Sequence, residues 1–515
     1  MSRLAPALST QITGVDRPFS NFDFVDREFS GSAPIRRLFS QARSRGAKTL
    51  VMEKVAAQGA VADENAELRD LFPDYQMAGL VRLSFWRTSF ARKAEIAALC
   101  DADCMGWAIL KLDQVGARQG WHVFESVIRA YEHPHSFATC ARTVPVKIAG
   151  RKFEISGVLY CQQNGLNKAC AQVALRSICS AFLDDPDLTF RRINQLAASV
   201  SPVSKPGEGL LTDQIQDVLD GLGIPHFAIF YPNLDGRQKW RSRLPYQKIL
   251  YSGIESGCGA LLAFTTSGPR APGCGHIVPL LGHTFNEDTW SARGDGAYFK
   301  IGKDIRYLPS SAWMSSFLIH DDNFGSNLCV AKDYLPPKQA DYVVALYPSG
   351  YAAPGFVAEV AASRYFYSLL RQLDESVNPW VNRLHRTVKN KELILRTVPI
   401  TREAYCQHVR EMQDWEHRTE DPATVDDLAK ICPDRMWMIE VSIPDLFSTN
   451  LRKLGELLLS ADLTISDRPD YQKFVLSRFP GCYMLFDRLD GRRQPRFVAA
   501  SSGLQTHTPL WTRKA

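Results

Sequence analysis

The sequence predicts an α+β protein, and three observations predict it. Strand-like runs and helical stripes follow one another along all 515 residues. Hydrophobic residues at 45% and charged residues at 23% are ordinary globular proportions. A strand–turn–helix unit near residue 165 places a cysteine at a helix start. At roughly 100–200 residues per domain, the length allows about three domains or one decorated core.

Composition excludes several classes. Lys+Arg 61 against Asp+Glu 55 leaves +6, too dilute for a nucleic-acid binder, whose basic residues gather on one face. The uncharged run 342–358 is broken by Pro348, Gly350, Pro354 and Gly355. No run reaches the about 18 clean apolar residues of a membrane span. The first residues lack the apolar core of a secretory signal, and Asp16, Asp23, Asp26 and Glu28 argue against an acid-poor transit peptide. A cytoplasmic protein is expected. The 12 cysteines show no Cys-x-x-Cys spacing and read as reduced thiols.

In chain order, residues 1–48 read as a mobile leader whose basic run (Arg36, Arg37, Arg43, Arg45, Lys48) is a solvated helix face. Residues 49–150 read as an N-terminal α/β extension, with strands at Thr49–Met52, Gly79–Phe85 and Trp107–Leu112 and a helical stretch at Lys93–Leu99. Residues 151–335 hold the densest motifs and form the expected catalytic core. Residues 336–515 read as a C-terminal α+β accessory region. Its strands are Asp341–Tyr347, Glu392–Val398 and Met436–Ile443, and its helices Phe356–Leu373, Arg402–Trp415 and Leu451–Leu459. Tyr483–Leu489 and Pro495–Ala500 flank Asp490-Gly491 as a hairpin.

There is no phosphate-binding Gly-x-x-x-x-Gly-Lys-Ser/Thr loop, no dinucleotide fingerprint and no His-Glu-x-x-His. Cys100-Asp101-Ala102-Asp103-Cys104 reads as two thiols beside solvated acids. His133-Pro134-His135 reads as a turn, and His408, Glu411, Glu416 and His417 as a solvent-facing set.

The chemistry concentrates in Gly157–Phe182. A strand ends in Gln162-Gln163-Asn164-Gly165, and a helix begins at or just before Cys170, burying Ala171, Ala174, Leu175, Ile178 and Phe182. Free N–H groups and the positive dipole end at a helix N-terminus favour a thiolate, the nucleophilic form. Cys161 and Cys179 read as packed and inert. The Cys170 N–H and the Gln163 amide are candidate oxyanion donors, with Gln162 as the alternate. The base must come from elsewhere. His276 and His283 are seven apart on one strand, so they face opposite ways unless Gly282 introduces a bulge. His276, after small residues, is the first choice. At ~3.3 Å per residue Asp288 lies about 30–40 Å from His276, so Asn286 and Asp288 suit only His283. A strand Ser316–Ile319 ending in Asp321 and laid beside His276 supplies the orienting carboxylate. Asp322 is the reserve, because alternation turns one of the pair inward.

The order Gln163, Cys170, His276, Asp321 resembles the papain-like cysteine peptidases, most closely their bacterial branch related to the double-glycine leader (bacteriocin-processing) peptidases. The likeness spans roughly 105–330. In that branch Pro usually follows the Asp, where this chain has Asp322. The resemblance implies a papain-like core with the cysteine at a helix N-terminus and the histidine on an antiparallel sheet. It implies hydrolysis of a peptide or isopeptide bond in a protein or peptide substrate, by a Cys170–His276–Asp321 triad with Gln163 at the oxyanion, needing no metal or organic cofactor. The same apparatus serves deamidation or acyl transfer, and the fold also serves as a non-catalytic interaction scaffold. The insertion Asn286–Tyr307 reads as a hairpin projecting beside the cleft.

Overall fold

The computed structural model describes residues 7–15, 20–30, 32–129, 136–138, 140–167, 169–183, 188–199, 209–231, 244–268, 271–284, 306–332, 340–372, 382, 386, 392–414, 416–464, 472–489, 492–499, 504 and 506–510. It is an α+β protein built on three seven-stranded sheets.

The first sheet is antiparallel and runs Ala7–Gly14, Thr49–Val55, Tyr75–Trp86, Cys104–Val115, Arg118–Arg129, Arg151–Tyr160, Arg142–Ile148. Its central strands are largely buried on both faces because both are covered. Trp107 and Ile109 point to one cluster, with the helices Cys170–Cys179, Phe190–Ala198 and Thr212–Gly221. Ala108 and Leu110 point to the other, against Phe24, Phe29, Ile35 and Leu38. Those last residues lie on the helices Ser20–Phe29 and Ala33–Ser44. The 1–48 leader expectation is therefore corrected: residues 7–14 are an edge strand, and the two helices supply one wall of a core. The amphipathic stripe of Ala33–Ser44 drives this, and its basic face is used as well. Arg37 donates to the carbonyls of Ser326 (2.6 Å) and Asn327 (2.5 Å), and Gln41 to that of Ser326 (2.6 Å).

The second sheet runs Gly325–Ala331, Ser316–Asp321, Ala271–Thr284, Ala260–Gly268, Ala340–Leu346, His226–Phe230, with Ser136–Ala138 added beside the end of Ala271–Thr284. Alternation splits it between two cores. Leu261, Ile277, Tyr342 and Val344 pack with the Cys170 helix, while Leu262, Val278, Leu280 and Val343 pack with the helices Tyr246–Glu255 and Gly355–Gln372. The third sheet starts on a parallel edge strand, Arg306–Pro309, and continues through Glu392–Thr401, Arg435–Ser442, Gly455–Ser460, Phe474–Phe479, Cys482–Leu489 and Arg492–Ala499. Trp437, Ile439, Leu457 and Leu459 face the shared core, and Met436, Met438 and Leu458 face the helices Arg402–Glu411 and Pro422–Ile431.

Sheet membership overrides the boundaries read from sequence. The cut at 150 precedes a strand of the first sheet, and the cut at 335 excludes Ala340–Leu346, an interior strand of the second. Tyr307 lies in the third sheet instead of closing a hairpin, and residues 285–305 of that insertion, with Asn286, Asp288 and Asp295, fall outside the described residues. The helix expected over Leu451–Leu459 is the strand Gly455–Ser460, whose Glu-Leu-Leu-Leu run is buried on both faces and therefore carries no period-2 signal. His408, expected in solvent, is buried beside Lys453, while Glu411, Glu416 and His417 are exposed. Among the described residues no helix is long and apolar enough to cross a membrane.

Candidate active site

The strand Arg151–Tyr160 delivers the chain to Gln162, which is held on both sides. Its backbone N–H donates to Val123 O (2.9 Å), and its side-chain oxygen accepts from Val123 N–H (2.9 Å). Asn164 then closes a turn, its side-chain oxygen accepting from the N–H groups of Leu166 (2.9 Å) and Asn167 (3.2 Å). Gly165 takes φ +73°, a left-handed conformation that glycine adopts without strain. The helix Cys170–Cys179 follows. Its cap residue Ala169 makes no side-chain cap bond, and no acid occupies its first turn. Cys170 is half-buried there, whereas Cys161 and Cys179 are buried, and burial pushes the Cys179 thiol well up.

His276 sits on the strand Ala271–Thr284, opposite Phe264, whose ring meets the imidazole edge to face at 5.4 Å. The strand Ser316–Asp321 pairs with it through Leu280↔Ile319 and His283↔Phe317, with a register shift at Leu280/Gly282. This brings two carboxylates to one imidazole nitrogen: Nε2 lies 3.3 Å from Asp321 Oδ2 and 3.4 Å from Asp322 Oδ1. Alternation was expected to turn one of them away. The ladder shifts between Ile319 and Asp321 and the chain turns at 322–324, so alternation stops applying just where the pair lies. Asp321 is braced further, its Oδ1 accepting from the N–H groups of Asn323 (2.8 Å) and Phe324 (3.2 Å).

The electrostatics follow from these contacts. Burial works against a charged His276, but hydrogen bonds with Asp321 and Cys170 and the two carboxylate charges outweigh it and raise its pKa to about 10. Asp321 is also penalised by burial, yet His276 and the two backbone N–H groups hold it below the usual range. Asp322 goes the other way. Burial and the Asp321 charge prevail over His276 and push it to about 6, and its Oδ2 is buried without a partner. The sign for stability is the reverse of the common carboxylate case. Below an ordinary 3.8 the group is protonated in both states; stability falls as pH rises from there to about 6, and the cost persists above. Asp322→Asn is expected to stabilise the fold on the order of 1–3 kcal/mol near neutral pH and little at about pH 4. Urea unfolding at the two pH values measures this, and an equal effect at both would contradict it.

Gln163, Cys170, His276 and Asp321 all line one cavity of about 930 Å³. Gln163 also donates to Asn323 Oδ1 (3.4 Å). The anchoring of Gln162 on Val123 separates the two amides: Gln163 is the one at the cavity. His283 is not at this site. It is fully buried, with Nε2 2.6 Å from Glu255 Oε1, and Arg396 Nε donates to Glu255 Oε2 at 3.0 Å. Despite burial, Arg396 and His283 hold Glu255 down at about 2.

Two neighbours escaped the sequence reading. Asn323 directly follows the carboxylate pair in sequence, and its turn position was the available signal. Glu64 accepts from Asn164 Nδ2 (3.1 Å) and pairs with Lys111 (2.5 Å), tying the Gln163 turn to a buried cluster; nothing local marks a contact a hundred residues apart. Among the described residues, two sets have ligand atoms close enough for a metal ion: His276, Asp321 and Asp322, and Glu64, Asp113 and His122. In the second, the Lys111 ammonium already lies against Glu64 and, at 3.1 Å, Asp113.

Compared with known proteins, the chain matches no family model and no curated protein.

Proposed function

We propose that the chain is a thiol-dependent hydrolase of amide bonds, peptide or isopeptide, built on a papain-like core. The observation that carries this reading is the convergence of Cys170 at a helix start, His276 and Asp321 on the lining of one cavity, from three separate elements. His276 Nε2 is held by the carboxylates, which leaves Nδ1 to exchange a proton with Cys170. The sulfur attacks the carbonyl carbon, and the Cys170 N–H and the Gln163 amide stabilise the oxyanion. The C–N bond breaks as His276 protonates the departing amine, leaving a thioester on Cys170. Water then takes the acyl group, and the thiol is regenerated. Asp321 fixes the imidazole tautomer and supports its charged form. Asp321 suits this role better than Asp322, since it stays ionised and is braced by two backbone N–H groups.

Thiol reactivity tests the reading, because a scaffold has no use for an activated cysteine. With limiting iodoacetamide at about pH 6, Cys170 is expected to label ahead of the exposed Cys100 and Cys329. Peptide mapping after brief exposure decides it; labelling no faster than at Cys329 would remove the support for an enzyme.

A further inference from the structure

We propose that the cavity beside Cys170 holds an unbranched fatty acyl chain, so that the bond cleaved is the amide of a fatty-acylated amine, such as an Nε-acyl-lysine. The inference rests on the amide-hydrolase reading and names the acyl side of its substrate.

Depth is the first ground. Register places His276, Val278 and Leu280 on one face of their strand, with Phe264 and Leu262 opposite the first two and Ile319 opposite Leu280. All six line the cavity. From His276 to Leu280 the strand runs roughly 13 Å at about 3.3 Å per residue, farther than an amino-acid side chain reaches from its own carbonyl.

Polarity is the second. The floor formed by Leu262, Val278, Leu280 and Ile319 is aliphatic and buried. The backbones of Leu262, Leu280 and Ile319 are engaged, since each of these residues pairs with strands on both sides. A peptide laid over this floor would bring N–H and C=O groups with no ladder to join. A hydrocarbon chain brings none. The polar groups that reaction needs, Gln163, His276 and Asp321, line the same cavity near Cys170. Volume is the third ground: about 930 Å³ lies within the range of clefts that take a whole ligand.

The step balances as an amide hydrolysis. Cys170 Sγ bonds to the acyl carbon, the C–N bond breaks, the lysine amine leaves with the proton from His276, and water releases the fatty acid and restores the thiol.

The test titrates the full chain carrying Cys170→Ser, which cannot turn over, with hexanoate, decanoate, tetradecanoate and hexadecanoate below their micellar concentrations. Displacement of a fluorescent fatty acid is the readout. Affinity is expected to rise about fourfold per added CH₂, from about 0.8 kcal/mol per buried methylene, until the cavity is full. Leu328→Trp on the outer strand, or Leu328→Phe if the larger ring prevents folding, should move that plateau to shorter acids. With the wild-type chain, a hexadecanoyl-lysine peptide should be deacylated faster than its acetyl-lysine counterpart. Equal affinity at every chain length, or a plateau unmoved by the filled variant, overturns the acyl assignment. If Cys170 still labels selectively in that case, the hydrolase reading stands alone. If Cys170 fails to label while chain-length dependence holds, the hydrolase reading is the one that falls.

Discussion

His276→Ala is expected to lower kcat/KM on an amide substrate by about 10²–10⁴-fold, the usual contribution of a positioned acid–base group. The loss should appear in kcat, because the imidazole acts on the proton in the transition state. Selective alkylation of Cys170 should fade in the same variant, since the hydrogen bond between the two side chains goes with it. Asp321→Asn should cost less, as an orienting group contributes part of the effect. His283→Ala provides the contrast: it breaks a fully buried contact with Glu255 and should lower stability without touching the labelling rate. Steady-state kinetics and timed peptide mapping check all three. If His283→Ala slows labelling as much as His276→Ala, the base has been misassigned.

Arg176→Met carries the largest expected effect on stability. Arg176 lies on the helix that begins with Cys170, and its guanidinium meets Glu125 at 2.6 Å with both side chains fully buried. It also stacks over Phe124 at 4.7 Å and donates to Leu188 O at 3.0 Å. Removing it leaves the Glu125 carboxylate buried without the guanidinium that faces it, at a cost of about 3–5 kcal/mol. The double variant Arg176→Met, Glu125→Met should recover most of this, because a buried ion pair is often replaced neutrally by apolar groups of similar volume. Urea unfolding of the two singles and the double measures the coupling. A double variant no more stable than Arg176→Met would show that the cost lies in packing instead of charge.

The candidate site was legible where its signals were local. A strand, a glycine-bearing turn and a cysteine heading an apolar stripe occur within 26 residues, from Gly157 to Phe182, and the helix begins at Cys170 as its pattern implies. The preference for His276 over His283 came from the small residues that precede it; strand alternation does not carry from one histidine to the other, because the ladder shifts at Leu280/Gly282. The same rule misjudged Asp321 and Asp322, since the strand ends there and the turn carries both carboxylates to Nε2. The choice between Gln162 and Gln163 was open locally and was decided by Val123, a residue 39 positions away from Gln162. His408 read as solvent-facing because its helix is rich in charge. Yet that helix lies over the third sheet, where His408 meets the buried ions Lys453 and Glu456.

By itself the sequence determined the α+β class, most of the elements and the two chemical groups whose environment is local: a thiol at a helix start and an imidazole on a strand. Periodicity and capping act over one or two turns, so they can be read from neighbours in the chain. Tertiary structure alone decided how the three sheets divide the chain, that the helices Ser20–Phe29 and Ala33–Ser44 supply a core wall, that two carboxylates share one imidazole, and that an apolar cavity opens beside the thiol. These depend on which distant segments bury one another's surfaces. Hydrophobic burial, which drives that choice, is roughly proportional to area and carries no direction, so no local pattern encodes its partner.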